Sequence, residues 1–154
     1  MPEELTAIAT LVADMRFEAM AGSGHSVTLD ASEHAGGKGA GFVPMEMLLI
    51  GLAGCTGMDV ISILRKKRQD VTSYEVYVHG VRAEDHPMVF TEIIVEHRVA
   101  GRHINPGAVR RAIELSETKY CGAGAMLGSR ARLTHMERIV EADEPLPVIA
   151  AAVN

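Results

Sequence analysis

The chain has 154 residues, 47 % of them hydrophobic, and a formal net charge of −5. This length and composition predict one domain with a core of its own, because domains commonly span roughly 100–200 residues. The acidic balance argues against non-specific binding to nucleic acid. We expect a single domain over residues 1–154, with terminal extensions at about residues 1–5 and 142–154.

Neither a targeting segment nor a membrane segment is expected. The chain begins Met-Pro-Glu-Glu, without the basic and apolar regions of a signal peptide, and no stretch is expected to reach the roughly 18 apolar residues of a membrane span. The sequence therefore predicts a cytoplasmic protein with no membrane partner. In a reducing cytosol, two cysteines are more often catalytic or redox-sensing than joined in a structural disulfide.

The first third of the chain predicts short strands and then a glycine-rich loop. The expected strands, with a turn at Gly22-Ser23-Gly24, are Ala7–Ala13, Arg16–Met20 and Ser26–Ala31. Residues 33–43 hold too many glycines to keep regular structure without contacts from elsewhere. The loop lacks the Lys-Ser/Thr ending of a phosphate-binding loop, so it predicts a plain connection.

The clearest helix runs from Pro44 to about Arg68. Pro44 suits the first turn because its missing N–H needs no partner there, and apolar residues cover nearly the whole circumference as far as residue 58. The basic run at residues 65–68 complements the partial negative charge of a helix C-terminus. A helix this apolar predicts a central, buried position. The other elements of one chain are too small to cover it, so a second copy should bury part of it.

The second half predicts a hairpin, two helices and a closing strand, which completes an α+β fold with antiparallel sheets. Asp85-His86-Pro87 indicates the turn of the hairpin, and Asn105 with Pro106 indicates the start of a helix. The expected elements are strands over 74–81 and 92–100, helices over 106–119 and 121–127, and a strand over 132–141.

The only thiols of the chain are Cys55 and Cys121, which lie 66 positions apart. That spacing excludes a zinc knuckle or a CxxC redox pair, whose members lie a few residues apart. Alone, each cysteine would more often be a small buried hydrophobe. At a helix start, Cys121 should have a lowered pKa, whereas Cys55 in its apolar stripe would need a nearby cation to become a thiolate.

The histidines and methionines predict little chemistry by themselves. No two of the seven histidines have the i, i+4 spacing of a helical metal site, so no metal site is expected, although the two thiols could still converge with His79 or His97 on a metal. The methionines near the cysteine motifs, such as Met58 and Met126, are expected to fill gaps in the core rather than to line a pocket.

Two motifs carry a resemblance to a known family. The stretch Pro44-Met-Glu-Met-Leu-Leu-Ile-Gly-Leu-Ala-Gly-Cys55-Thr-Gly-Met-Asp-Val-Ile-Ser and the later Glu117-Thr-Lys-Tyr-Cys121 resemble the OsmC/Ohr superfamily of thiol-dependent hydroperoxide reductases, in its OsmC-like bacterial branch. The resemblance covers about residues 20–141 in the right order. It implies the OsmC-like fold, with antiparallel sheets around a long buried central helix and an interleaved homodimer whose active site lies at the subunit interface.

The resemblance also implies an enzymatic activity in the oxidative stress response. Cys55 matches the family's cysteine that attacks a peroxide, and Cys121 matches the cysteine that resolves it. The product is a disulfide, formed through a sulfenic acid and opened again by a dithiol reductant. The implied enzyme is a peroxidase for organic hydroperoxides or hydrogen peroxide that has catalytic residues Cys55 and Cys121 and needs neither a bound cofactor nor a metal.

The chain departs from the family pattern at two places. The family has a glutamate directly after the helix-opening proline, whereas here Met45 takes that place and Glu46 follows, rotated by about 100° around the helix. The family also has an arginine before the helix, but no arginine occurs between Arg16 and Arg65. Arg16 or an arginine of a second copy would have to take the place of the family's arginine. Two interpretations remain open: a peroxidase, and an OsmC-fold binding or redox-sensing protein with little turnover.

Overall fold

The computed structural model of the protein describes residues 1–146. The chain forms two compact units, Met1–Leu48 and the residues from Leu49 onwards. The single domain expected over residues 1–154 stays a prediction. The part of the expected C-terminal extension beyond residue 146 lies outside the described residues.

The first unit contains an antiparallel sheet of three strands in the order β1-β2-β3. Its strands are β1 (Ala7–Ala13), β2 (Arg16–Ala21) and β3 (Ser26–Leu29). All three predicted strands are confirmed to within two residues at each end. The apolar residues of β1 are not buried by this chain, since every residue of the strand is exposed.

One carboxylate accepts three backbone hydrogen bonds in the glycine-rich loop after β3. Asp30 is only 4 % exposed, and it accepts hydrogen bonds from the backbone N–H groups of Ala31, Lys38 and Ala40 at 2.8, 3.3 and 3.0 Å. The loop therefore holds more structure than the sequence predicted, including a 3₁₀ turn at Glu33–Ala35 that ends at Gly36 with φ of 87°. The contacts that order the loop come from the Asp30 side chain and from backbone hydrogen bonds such as Gly39 N–H to the Ala31 carbonyl at 3.1 Å.

The long helix α1 (Pro44–Lys66) confirms the predicted helix and ends two residues early. Glu46 accepts the Val43 N–H at 2.9 Å and so closes the first turn. Only one stripe is buried within this chain, formed by Leu52, Thr56, Gly57, Val60 and Leu64. Other apolar residues of the helix, including Leu48, Ile50 and Met58, are exposed.

The apolar character of α1 corrects one sequence expectation. By length and composition α1 could cross a membrane, so it was wrong to expect no such stretch. The core helix of a water-soluble domain can be equally long and apolar. The buried stripe of α1 packs against other elements of the second unit, as a core helix does.

The second unit contains a sheet in the order β4-β5-β6. The predicted hairpin is confirmed and is longer than expected, with β4 (Asp70–Arg82) antiparallel to β5 (Phe90–Arg102). The strand β6 (Arg132–Glu141) lies on the other side of β5 and runs parallel to it, an exception to the antiparallel pairing that was expected. Parallel strands need a long crossover connection, and the helices between β5 and β6 provide it.

Two helices form that crossover. Asn105 caps α2 (Pro106–Leu115) by accepting the Gly107 N–H at 2.9 Å, as its sequence predicted. A π-helical turn at Ser116–Tyr120 replaces the end of the predicted helix, and α3 (Gly122–Gly128) follows. The core of the second unit joins α1, α2 and β5, and its buried members are Val60, Leu64, Val99, Ile104, Ala108, Val109, Ala112 and Ile113.

Candidate functional site

The two cysteines lie close together in the second unit. Cys55 lies in the middle of α1 and Cys121 directly precedes α3. Their Sγ atoms lie within 4.8 Å of each other and of a carboxylate oxygen of Asp59. Both thiols are free, with Cys55 half-buried and Cys121 buried. The fold thus places the two sulfur atoms close enough for small side-chain movements to join them.

The π-helical turn positions Cys121. Its backbone N–H donates to the Ser116 carbonyl at 2.8 Å, and its extended backbone then lets the side chain cap α3. The Sγ atom accepts the Gly124 N–H at 3.2 Å. A Cβ atom at Gly124 would lie 3.3 Å from this sulfur, so glycine leaves the room that the thiol occupies.

Asp59 belongs to the site, and sequence reasoning missed it. It follows Cys55 by four residues, so both side chains lie on one face of α1. Its carboxylate accepts a hydrogen bond from the Ser116 hydroxyl at 2.9 Å, and that hydroxyl lies 2.8 Å from the Thr56 hydroxyl. Ser116 and Thr56 are fully buried. The i, i+4 spacing from Cys55 was the signal that could have found Asp59, whereas its contact with Ser116 spans 57 positions.

The surroundings of Cys121 contradict the expected acidity of its thiol. The pKa of Cys121 is raised to about 11, mainly by burial and also by the hydrogen-bonded Cys55 thiol and the charge of Asp59, and the Gly124 N–H only partly offsets these effects. The ammonium group of nearby Lys119 lies over the ring of Tyr120, 5.2 Å from its centroid. The predicted lowered pKa was therefore wrong, and Cys121 is a protonated thiol at neutral pH.

Two clefts flank this part of α1. A cleft of about 270 Å³ includes Asp59 and Tyr120 in its wall, and its other lining residues are Met58, Ser62, Ile63 and Lys66. A second cleft of about 370 Å³ is lined by Ala53, Gly54, Gly57, Met58, Ile61, Tyr74 and Val76. Met58 borders both clefts and is 73 % exposed, and Met126 is 78 % exposed. The expectation that these methionines fill core gaps was wrong for both residues in this chain.

A chain of three polar rings crosses the sheet of the second unit. The Tyr74 hydroxyl lies 2.6 Å from Nδ1 of His97, and Nε2 of His97 lies 3.0 Å from Nδ1 of His135. Burial lowers the pKa of His97 to about 3, and neighbouring His135 contributes in the same direction. Burial also raises the pKa of Tyr74, and the charge of Asp59 adds to that effect. Both ring nitrogens of His97 thus have partners within the sheet. Among the described residues, the cluster around the thiols contains Asp59 and no histidine.

The two residues considered as replacements for the family's charged pair have other contacts. Glu46 is hydrogen-bonded at the start of α1. Arg16 lies on β2, and its charge adds to the Ala40 hydrogen bond in lowering the pKa of Asp30. A role of either residue beside the thiols stays a prediction.

The comparisons with known proteins decide the family. A family model described as OsmC-like protein matches residues 36–136. The chain belongs to the OsmC-like family. This OsmC-like chain is 39 % identical to Protein YhfA of Escherichia coli (strain K12) over 131 residues, which are 85 % of this chain and 95 % of YhfA.

Solved structures confirm the OsmC-like fold that the two cysteine motifs predicted. A hypothetical protein from Aquifex aeolicus VF5 is 28 % identical with a TM-score of 0.80, and the match covers 91 % of this chain and 98 % of that protein. The organic hydroperoxide resistance protein OhrB of Bacillus subtilis is 13 % identical with a TM-score of 0.59, and the match covers 88 % and 98 % of the two chains. The second likeness is one of fold alone.

Proposed function

We propose that this OsmC-like protein is a thiol-dependent peroxidase that reduces organic hydroperoxides through Cys55 and Cys121. The observation that carries the proposal is the approach of the two sulfur atoms to within 4.8 Å from two separate elements. OhrB, which shares the fold, is named an organic hydroperoxide resistance protein. The raised pKa of Cys121 supports Cys55 as the residue that attacks first, because a protonated thiol is the poorer nucleophile.

The proposed cycle has three balanced steps. The Cys55 thiolate attacks the O–O bond of a hydroperoxide, becomes a sulfenic acid, and releases an alkoxide that takes up a proton to give the alcohol. The Cys121 sulfur then attacks the Cys55 sulfur, and the sulfenic hydroxyl leaves as water with the thiol proton. Asp59, whose carboxylate oxygen lies within 4.8 Å of the Cys121 sulfur, would accept that proton first. An external dithiol finally reduces the disulfide and is itself oxidised to a disulfide.

One of the two clefts along α1 has an apolar wall that favours an organic substrate. Ala53, Ile61 and Val76 give the larger cleft an apolar wall, and the flexible side chain of Met58 reaches both clefts. Methionine adapts its shape to different apolar groups. These contacts would bind the organic part of a hydroperoxide.

We also propose that the protein acts as a cytoplasmic homodimer. Ile8 on β1 and Ile50 and Met58 on α1 are large apolar side chains that this chain leaves exposed. A second copy that covers such surface would gain the free energy of apolar burial. Light scattering at micromolar concentration tests this proposal: we expect twice the chain mass, and a 16.5 kDa particle would contradict it.

The second candidate is a binding or redox-sensing protein that uses the same thiols with little turnover. It is favoured by Met45 in place of the family's glutamate and by the use of Glu46 within the first turn of α1. A sensor would form the disulfide but would consume little peroxide in the presence of excess dithiol. Multiple turnovers per chain would exclude this candidate.

The first experiment combines thiol labelling with intact-protein mass spectrometry. Reduced protein, held with a chelator to exclude metals, is treated with one equivalent of cumene hydroperoxide. We expect both thiols to become unreactive and the mass to fall by about 2 Da, since a disulfide forms with the loss of two hydrogens.

Two variants separate the roles of the cysteines in this experiment. Cys55→Ser should leave Cys121 labelled and abolish peroxide consumption. Cys121→Ser should stop at a sulfenic acid, which dimedone captures. Wild-type thiols that stay labelled, or peroxide consumption by Cys55→Ser at the wild-type rate, would refute the proposed enzyme.

A further inference from the structure

The reduced site also has the donor set of a metal centre. Cys55, Cys121 and Asp59 each offer one ligand atom, and these three atoms lie within 4.8 Å of one another. In a tetrahedral zinc site, with Zn–S of about 2.3 Å and Zn–O of about 2.1 Å, ligand atoms lie roughly 3.6–3.8 Å apart. Small side-chain rotations therefore suffice to close the three atoms around an ion. We propose that the reduced protein binds one Zn²⁺ per chain through Cys55, Cys121 and Asp59, with water as the fourth ligand.

Hydrogen bonds already orient the ligands from outside. The Ser116 hydroxyl donates to the Asp59 carboxylate at 2.9 Å, and Thr56 in turn contacts Ser116 at 2.8 Å. The Gly124 N–H donates to the Cys121 sulfur at 3.2 Å. Metal ligands in proteins are commonly held by such outer hydrogen bonds, and the loss of one typically weakens metal affinity by about 10–100-fold. The buried hydroxyls of Ser116 and Thr56 would thus orient Asp59 as a metal ligand. Disulfide formation between the two thiols would not need this orientation.

The charges of the site favour a cation. With both thiols ionised, the cluster would hold three neighbouring negative charges, and a divalent ion would offset two of them. Thiols bind zinc as thiolates, so binding displaces thiol protons and the affinity should rise with pH. Asp59 lines the 270 Å³ cleft beside Ser62 and Tyr120, which gives the ion and its water a route from solvent.

This metal site goes beyond the proposed peroxidase, and it does not depend on turnover. It uses the same two sulfur atoms, so zinc and the disulfide exclude each other. The sequence left open a metal held by the thiols with His79 or His97, and here Asp59 takes the place of the histidine. Zinc would thus protect the thiols from oxidation in the reduced protein.

The test uses the full-length protein, reduced and freed of metal. Zn²⁺ is titrated against a chromophoric chelator, and Co²⁺ serves as a spectroscopic probe because thiolate ligands give it intense charge-transfer bands. We expect one ion per chain. Cys55→Ser and Cys121→Ser should each reduce the charge-transfer intensity and weaken binding, and Asp59→Asn should weaken binding at least about tenfold without loss of that intensity.

Two further variants sharpen the result. Ser116→Ala keeps all three ligands and removes only the hydrogen bond to Asp59, so it should weaken binding by about 10–100-fold. Asp70→Asn changes an exposed carboxylate at the start of β4 and should bind as the wild type does. Circular dichroism confirms that each variant is folded. Protein oxidised to the Cys55–Cys121 disulfide should bind no ion at this site.

Three results would overturn the proposal. The first is no binding of micromolar zinc by the reduced wild type. The second is binding that survives both cysteine substitutions, because the ion would then lie elsewhere. The third is wild-type affinity in Asp59→Asn, which removes Asp59 from the ligand set. None of these measurements uses peroxide, so failure of the metal site leaves the peroxidase test intact, and failure of the peroxidase leaves the metal site intact.

Discussion

Acid should destabilise this protein through one buried histidine, His97. Its side chain is fully buried, and each of its ring nitrogens lies within hydrogen-bond distance of a neighbour, Tyr74 or His135. Two neutral proton arrangements satisfy this chain of rings, and in both of them His97 carries a single proton. A second proton on His97 would place a charge in the core beside another imidazole. We therefore predict that the folded state resists protonation of His97.

The sign and size of the effect follow from the two states of the histidine. The pKa of His97 is about 3 in the folded chain, against 6.5 as its ordinary value. Between these values the unfolded chain binds the extra proton and the folded chain does not, so stability falls as the pH falls below 6.5. At about pH 5 the loss should be about 2 kcal/mol relative to about pH 7.5, at 1.36 kcal/mol per pH unit below the unfolded pKa. His135, whose pKa burial also lowers, acts in the same direction.

The assay is urea unfolding at both pH values and at one protein concentration. Wild-type free energies of unfolding should show the full loss. His97→Gln removes the titrating ring while its amide can still hydrogen-bond, so about 2 kcal/mol of the pH dependence should disappear even though the variant is less stable overall. The control is His79→Gln, because His79 is exposed on β4 of the same sheet. An equal loss of stability on acidification in wild type and His97→Gln would refute the reasoning.

Three further substitutions test the fold. Asn105→Ala removes the cap of α2 and should cost about 1 kcal/mol of unfolding free energy in urea titration, and an unchanged midpoint would contradict the cap. Leu64→Ala opens a cavity where α1 meets the core and should cost about 2–5 kcal/mol by the same measurement, whereas a loss under about 1 kcal/mol would mean that the site collapses. Asp30→Ala leaves three loop N–H groups without their acceptor, so trypsin should cut after Lys38 faster than in wild type, and equal cleavage rates would show that the loop is held otherwise.

Local sequence signals predicted most elements because those elements depend on local chemistry. Alternation located the strands, and the Asn105-Pro106 pair located the start of α2, where the cap is made by residues two apart. The two cysteine motifs predicted the OsmC-like fold, which the family match confirms. Errors of a few residues arose at helix ends, as at Ser116–Tyr120, where the hydrogen-bonding pattern changes without a break in the sequence pattern.

The sequence by itself determined the elements, their order and the two thiols, whereas the tertiary structure decided what surrounds those thiols. Asp59 and Ser116 lie 57 positions apart and meet only because α2 and the π-helical turn pack against α1. The parallel pairing of β6 with β5 likewise depends on the path of the crossover. The acidity of Cys121 was mispredicted because its helix position is local, while burial, which raises the pKa most, is a property of the folded chain. Periodicity records which side chains share a face, but desolvation and contacts between distant residues arise only when those faces meet.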